Sequence, residues 1–308
     1  MEAFIRMQHE PPPVAPPSVT PGRSHQLYCQ AQRGSWQVER DLDWQPVDTN
    51  TYPFPPEDCM FHGFADFERL PWLVRCRLAW RQHGIEISEI LYGEEAALQM
   101  CAGILRALQH NSRRQFICTQ LHDEARHVEF FSRYLSHIRQ PLQRPGAQLQ
   151  RLLHAGCAET RLDRQLLICQ LVIESLAMAR FQRLRRRTRV AVLRQALPLI
   201  SRDEARHINF GLSLLGERLQ QRSRAQRDHY ARMVVETVCD LLGDSLVCQQ
   251  FGQEMGWDPA ALRRHLRLQR RQHGDYRQRV FRYLLRNMRS LDLLTPDVRA
   301  LLQQRGVH

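Results

Sequence analysis

The chain has 308 residues, of which 43% are apolar and 25% charged, enough for a sizeable buried core of ordinary globular composition. Its net charge is +12 and all 44 basic residues are arginine. They are scattered over most of the chain, which favours a GC-rich coding bias over a nucleic-acid-binding surface. No apolar run is long enough to span a bilayer, and the opening MEAFIRMQHEPPPVAPPSV lacks a basic segment followed by an apolar one. A cytoplasmic protein is expected, without membrane attachment. The nine cysteines, at 29, 59, 76, 101, 118, 157, 169, 239 and 248, form no CxxC pair, which argues against a disulfide frame or a thiolate zinc site. Cys101, Cys118 and Cys169 lie in apolar helical contexts and are expected to be buried free thiols.

Residues 1–60 read as an irregular, Pro-rich N-terminal segment. PPPVAPPSVTPG is expected to be an extended, mobile tail. Trp36 and Trp44 in WQVERDLDWQPVD suggest a stretch packed onto the main body. From about Phe64 the chain is nearly free of Gly and Pro, and apolar periodicity predicts helices over 65–82, 84–109, 112–138, 160–187, 190–219 and 223–253. Asn111-Ser112 signals a turn and helix start, and RQPLQRPGAQ at 139–148 reads as a loop. Pro198 should bend the fifth of these helices. A further helical stretch runs from about 258 to 290, opened by Asp258-Pro259. No strand-like alternation persists. The fold class is all-α: a long-helix bundle over 61–253 with a helical appendage over 254–308. Two arginine clusters, at 183–189 and 263–271, could dock an acidic or phosphorylated partner, though a solvated helix face explains them more simply.

DEARH occurs twice, at 123–127 and 203–207. A Glu and a His three residues apart share one helical face, separated by about 60° of rotation and ~4.5 Å of rise, so Glu124 with His127, and Glu204 with His207, can each hold a metal ion. A di-metal carboxylate bundle needs one more Glu from each of two other helices. Glu94 stands thirty residues before Glu124, and Glu174 thirty before Glu204. The whole pattern therefore repeats with an offset of eighty. In an antiparallel pair, residues equidistant from the turn lie level. The midpoints, 109 and 189, fall beside His110-Asn111-Ser112 and at RTRV. Each lone Glu is thus expected to face its own ExxH motif. Glu95, next to Glu94, is the alternative first ligand. Carboxylates on such apolar faces are costly to bury unless paired or metal-bound. A metal-free bundle with buried salt bridges is the plainer alternative. Asp123 and Asp203 could hydrogen-bond the histidine of the facing motif, with Arg126 and Arg206 neutralising them; a plain surface pair is the competing reading. A mixed O/N donor set without thiolate suits iron or manganese better than zinc. Two irons lead, with manganese or a mixed Mn/Fe pair as alternatives.

The order E, DEARH, E, DEARH over 94–207, with the flanking GEEAAL and DEARHVEFFSRYL, resembles the ferritin-like di-iron carboxylate superfamily, with its ribonucleotide-reductase-like long four-helix bundle and additional helices. It is most similar to the soluble O₂-activating members, which carry D-E-x-R-H motifs. The resemblance implies a di-iron cluster that binds O₂ and oxidises an organic substrate. No subfamily pattern is met in full. Phe131 stands where the radical-generating ribonucleotide reductase subunit has tyrosine, and Tyr134 lies two turns from His127. Met178 stands where hydrocarbon monooxygenases have threonine. Ile200 stands where the p-aminobenzoate N-oxygenase type has an additional histidine. Leu98, Cys101, Phe131, Met178 and Phe181 are candidates for an apolar pocket beside the metals, or else ordinary core. Gly211, eighty residues after Phe131, is expected to leave room for substrate or O₂.

The leading expectation is an O₂-dependent di-iron oxygenase or oxidase acting by hydroxylation, N-oxygenation or desaturation on a small organic or carrier-bound substrate. With no flavin, pyridine-nucleotide or Cys₄ cluster fingerprint in the chain, electrons must come from an external ferredoxin or reductase. No separate protein acid or base is assigned. A homodimer is kept open. The rivals are a non-oxygenase di-metal bundle, for iron oxidation or radical generation, and a phosphate- or nucleic-acid-binding helical protein with a structural metal site.

Overall fold

The computed structural model describes residues 22–242, 247–272 and 275–307, and the described residues contain helices and no strand. In chain order these are α1 (Arg23–Arg33), α2 (Ala65–Glu68), α3 (Trp72–Ala107), α4 (Asn111–His137), α5 (Ala147–Ala158) and α6 (Leu162–Leu166). A π-helical segment, Leu167–Ile173, then leads into α7 (Glu174–Arg187) and α8 (Ala191–Gln220). The rest are α9 (Arg224–Leu241), α10 (Val247–Glu254), α11 (Pro259–Gln272), α12 (Asp275–Ser290) and α13 (Pro296–Gln304). The proline-rich stretch expected as a mobile tail lies outside the described residues, Gly22 excepted.

Four long elements form the bundle: α3, α4, the run from α6 through the π segment to α7, and α8. α3 packs along α4, and α7 along α8. The α3 stripe Ile87, Ile90, Glu94, Ala97, Cys101 and Ile104 recurs every three or four residues, as a buried helical face must, and all six are buried. α1 crosses α4 and α8, α5 lies on α3, α12 packs on α7, and α13 on α9.

Several boundaries differ from the sequence expectation. The break expected near residue 83 is absent, and α3 runs unbroken for 36 residues. One helical Gly costs only about 1 kcal/mol, and Gly84 is buried where Gln140 crosses it, so packing overrides the local signal. α1 falls within the segment expected to be irregular, and α5 and α13 were not foreseen. The expected helix over 160–187 contains the π segment, which periodicity cannot distinguish from α-helix. Asn111 opens α4, but its N-cap is His110, without a side-chain cap. Pro198 lies inside a continuous α8. Cys101 and Cys169 are buried free thiols, whereas Cys118 is exposed, on the outer face of α4.

Candidate di-metal centre

The two helix pairs present their acids at matching depths. Glu94 stands thirteen residues before the end of α3 and Glu124 thirteen after the start of α4; Glu174 and Glu204 keep the same count from the end of α7 and the start of α8. Level positions in antiparallel pairs bring the four carboxylates together at mid-bundle, with His127 and His207 one turn along their helices. Potential donor atoms of Glu94, Glu124, His127 and Glu204 all lie within 4.8 Å of one another, and so do those of Glu124, Glu174, Glu204 and His207. Glu124 and Glu204 belong to both groups. All six residues are buried. Glu95 is exposed and accepts a hydrogen bond from Gln99, outside the cluster.

Each imidazole turns Nδ1 inwards. His127 Nδ1 stands 3.3 Å from Glu94 and 3.2 Å from Glu204; His207 Nδ1 stands 2.9 Å from Glu204 and 3.2 Å from Glu124. The outward nitrogens cross over between motifs: His127 Nε2 meets Asp203 at 3.3 Å and His207 Nε2 meets Asp123 at 3.2 Å. Arg126 pairs with Asp123 and, at 2.9 Å, with Asp203. Arg206 pairs with Asp203 at 2.6 Å and Asp123 at 3.1 Å. Two aspartates and two arginines thus balance in charge behind the histidines.

The four glutamates outnumber the two imidazoles that face them. Burial pushes the Glu94 carboxyl up to about 8, reinforced by the charge of Glu204. Burial, with Glu204 beside it, also raises Glu174 well above the carboxylate range. Burial opposes the charge on Glu204 too, but the Glu174 hydrogen bond and the His207 charge outweigh it and hold Glu204 well below that range. Burial likewise disfavours charged imidazole at His127, yet its bonds with Asp203 and the glutamates lift it well above its ordinary value. Without cations, then, the cluster must keep protons on some of its acids. Glu124 Oε2 and Glu204 Oε1, both buried, take no hydrogen bond.

A cavity of about 730 Å³ opens onto this cluster between α3 and α7 and is lined by Glu94, Glu124, Glu174 and Glu204. Ile90, Gly93, Ala97, Leu153, Ile173, Leu176 and Ala177 supply much of its apolar wall. Further out, Arg180 pairs with Glu89 at 2.6 Å, and Arg187 pairs with Glu86 while its guanidinium lies over the Phe54 ring. Arg187, in the arginine cluster expected to be a solvated face, is 6% exposed, and burial pushes its pKa down to about 10.

A family model described as P-aminobenzoate N-oxygenase AurF matches residues 20–292, most of the chain. The chain belongs to this AurF family. It is therefore an oxidoreductase of the ferritin-like di-iron oxygenase class. Among solved structures, an R2-like ligand-binding oxidase variant with an anaerobically reconstituted Mn/Fe cofactor aligns at TM-score 0.55 and 18% identity, covering 87% of this chain and 93% of the other. A second such variant aligns at TM-score 0.57 and 17% identity with the same coverage. At that identity the likeness establishes the fold. No curated protein matches the chain in sequence. No helix among the described residues is long and apolar enough to cross a membrane.

Of the six pocket candidates, none lines the cavity. Cys101 is buried in the bundle core, and Phe131 and Phe181 stack on each other with centroids 6.0 Å apart. Leu98 and Met178 are half-buried away from the cavity. A Cβ on Gly211 would meet Gln170 Cβ at 2.3 Å, so the space beside Gly211 is filled by a side chain. Ile200, where the resemblance places a histidine, is fully buried among aliphatic and aromatic core residues.

The sequence reading missed three residues at the cluster. Trp36 donates its indole N–H to Asp203 at 2.7 Å, stacks against His127 and lies under the Arg126 guanidinium. Its packing onto the body matches the expectation for the Trp36–Trp44 stretch, but no local pattern places it at the cluster, because it arrives from a segment without periodicity. Gln120 and Gln170 are buried beside the glutamates, and a signal for them did exist: each stands four residues before a glutamate of the cluster.

Proposed function

We propose that Glu94, Glu124, His127, Glu174, Glu204 and His207 hold a pair of iron ions and that the chain N-oxygenates a small organic amine admitted through the α3–α7 cavity. The observation that carries this reading is the buried, charge-unbalanced cluster at the cavity floor. Four carboxylates and two divalent cations balance, while the donor set is oxygen and nitrogen without thiolate. The two carboxylate oxygens without hydrogen bonds are free to act as ligands. A metal pair bound there supplies the two-electron reduction of O₂.

The chain's own residues do the rest. The inward Nδ1 atoms are kept in place by Asp123 and Asp203, which hold the outer nitrogens as hydrogen-bond acceptors. Burial opposes charge on those aspartates, but the histidine bonds, with Arg126 and Arg206 beside them, keep them ionised. The apolar wall from Ile90 to Ala177 excludes water and seats the substrate's carbon framework. The AurF family name supports an amine as the oxidised group. The balance for one turnover is an amine, O₂, two electrons and two protons giving a hydroxylamine and water. The electrons come from an external ferredoxin or reductase, which the net positive charge favours if the donor is acidic.

The reading is tested by loading the protein anaerobically with ferrous iron, reducing it chemically, and adding ¹⁸O₂ with p-aminobenzoate or with benzoate. An N-oxygenated product containing ¹⁸O from the amine, and none from benzoate, is expected. Rapid oxidation of many irons per chain without product would instead make the protein an iron-oxidising bundle.

A further inference from the structure

Two buried amides stand behind the glutamates, and neither lines the cavity. Gln120, one turn before Glu124 on α4, donates from Nε2 to Glu124 Oε1 at 3.1 Å and to Glu174 Oε1 at 3.2 Å. Its oxygen accepts from Gln170 Nε2 at 3.2 Å. Gln170 sits in the π segment, one turn before Glu174, and is 1% exposed.

The direction of both amides follows from chemistry. Burial opposes charge on Glu124, but its bonds with His207 and His127 hold it below the ordinary carboxylate range. An ionised carboxylate only accepts, so Gln120 must turn its NH₂ towards Glu124. Its oxygen then faces Gln170 and demands that residue's NH₂. The chain of donors ends at Gln170 Oε1, which has no partner. Space for this arrangement is built in, since Gly211 on α8 lacks the Cβ that would collide with Gln170. The arrangement exists in one half of the repeat only. Eighty residues away, Gln120 corresponds to Ile200 and Gln170 to Ile90, both buried and apolar. A filler of the core would need no amide at either place, and burying amides is costly unless their hydrogen bonds are made.

We propose that Gln120, held by Gln170, is a positioning residue for the metal centre, fixing Glu124 and Glu174 through its two N–H groups and withdrawing charge from them. This rests on the ligand assignment proposed above. Donation to a ligand carboxylate makes it a weaker electron donor and so favours the reduced, less positive centre. Groups that contact metal ligands in this way typically change metal affinity by about 10- to 100-fold when removed.

The test uses the full-length protein loaded anaerobically with ferrous iron, comparing wild type with Gln120→Met and Gln170→Met. Methionine nearly keeps the volume and removes the donors. Gln120→Met is expected to fold with native helicity, to bind ferrous iron about 10-fold or more weakly, and to show a lower midpoint potential. Gln170→Met, which lets the Gln120 amide turn, is expected to shift the potential in the same direction by less. Wild-type affinity and potential in a folded Gln120→Met would overturn the proposal. If that variant does not fold, an unchanged potential in Gln170→Met overturns it. A wild-type chain that binds no iron would overturn the ligand assignment itself, and this proposal with it.

Discussion

His83 shows how burial governs chemistry one residue at a time. Its Nε2 is 2.8 Å from the Tyr134 hydroxyl, and Nδ1 has no partner. Burial, with the Arg187 charge nearby, pushes its pKa down to about 3. The folded state therefore keeps His83 neutral over a range in which the unfolded chain, with an ordinary histidine pKa near 6.5, takes up a proton. Its contribution to stability is fully present above about pH 6.5 and is lost as pH falls towards 3, at up to about 1.4 kcal/mol per pH unit. Denaturant titrations from pH 7 to pH 4 should show a shallower loss in His83→Gln than in wild type. Equal slopes would mean that His83 is protonated in the folded state. The six clustered acids and imidazoles were legible in the sequence because they repeat at a fixed offset and lie on helical faces. His83 and Trp36 were not, since each depends on a neighbour distant in sequence, whereas Gln120 and Gln170 were marked only by standing four residues before a cluster glutamate.

At the scale of elements, the bundle helices were legible because each buries a stripe with helical period, and their turns followed from symmetry about 109 and 189. Periodicity could not show that α3 continues through Gly84, that a π segment interrupts the run into α7, or which helix faces border the cavity. Two glycines make opposite predictions from this packing. Gly93 lies on the cavity wall, and a Cβ there would meet no atom within 4 Å. Gly93→Ala should raise stability by about 0.5–1 kcal/mol through helix propensity. Gly93→Trp should weaken substrate binding with iron content unchanged. Gly211→Ala should destabilise by about 1–3 kcal/mol, because Gln170 must move out of its place. Chemical denaturation and substrate titration measure both. A neutral Gly211→Ala would show that Gln170 can yield at no cost.

For the whole molecule, the decisive features are a charge of +12 and a cluster of acids hidden at its centre. The surface charge should steer an acidic electron donor, so the rate of centre reduction by an acidic ferredoxin should fall steeply as salt rises from low to physiological strength. A salt-independent rate would remove the steering. The buried acids pose the larger question, because they are tolerable together only if protons or cations compensate them. Glu124 and Glu204 belong to both donor groups, whereas Glu94 and Glu174 each belong to one. The most direct measurement is therefore iron stoichiometry after anaerobic loading and desalting, for wild type, Glu94→Ala and Glu204→Ala. About two irons per chain are expected for wild type, a partial loss for Glu94→Ala, and near-complete loss for Glu204→Ala. Iron bound equally well by a folded Glu204→Ala, or none bound by wild type, would contradict the account.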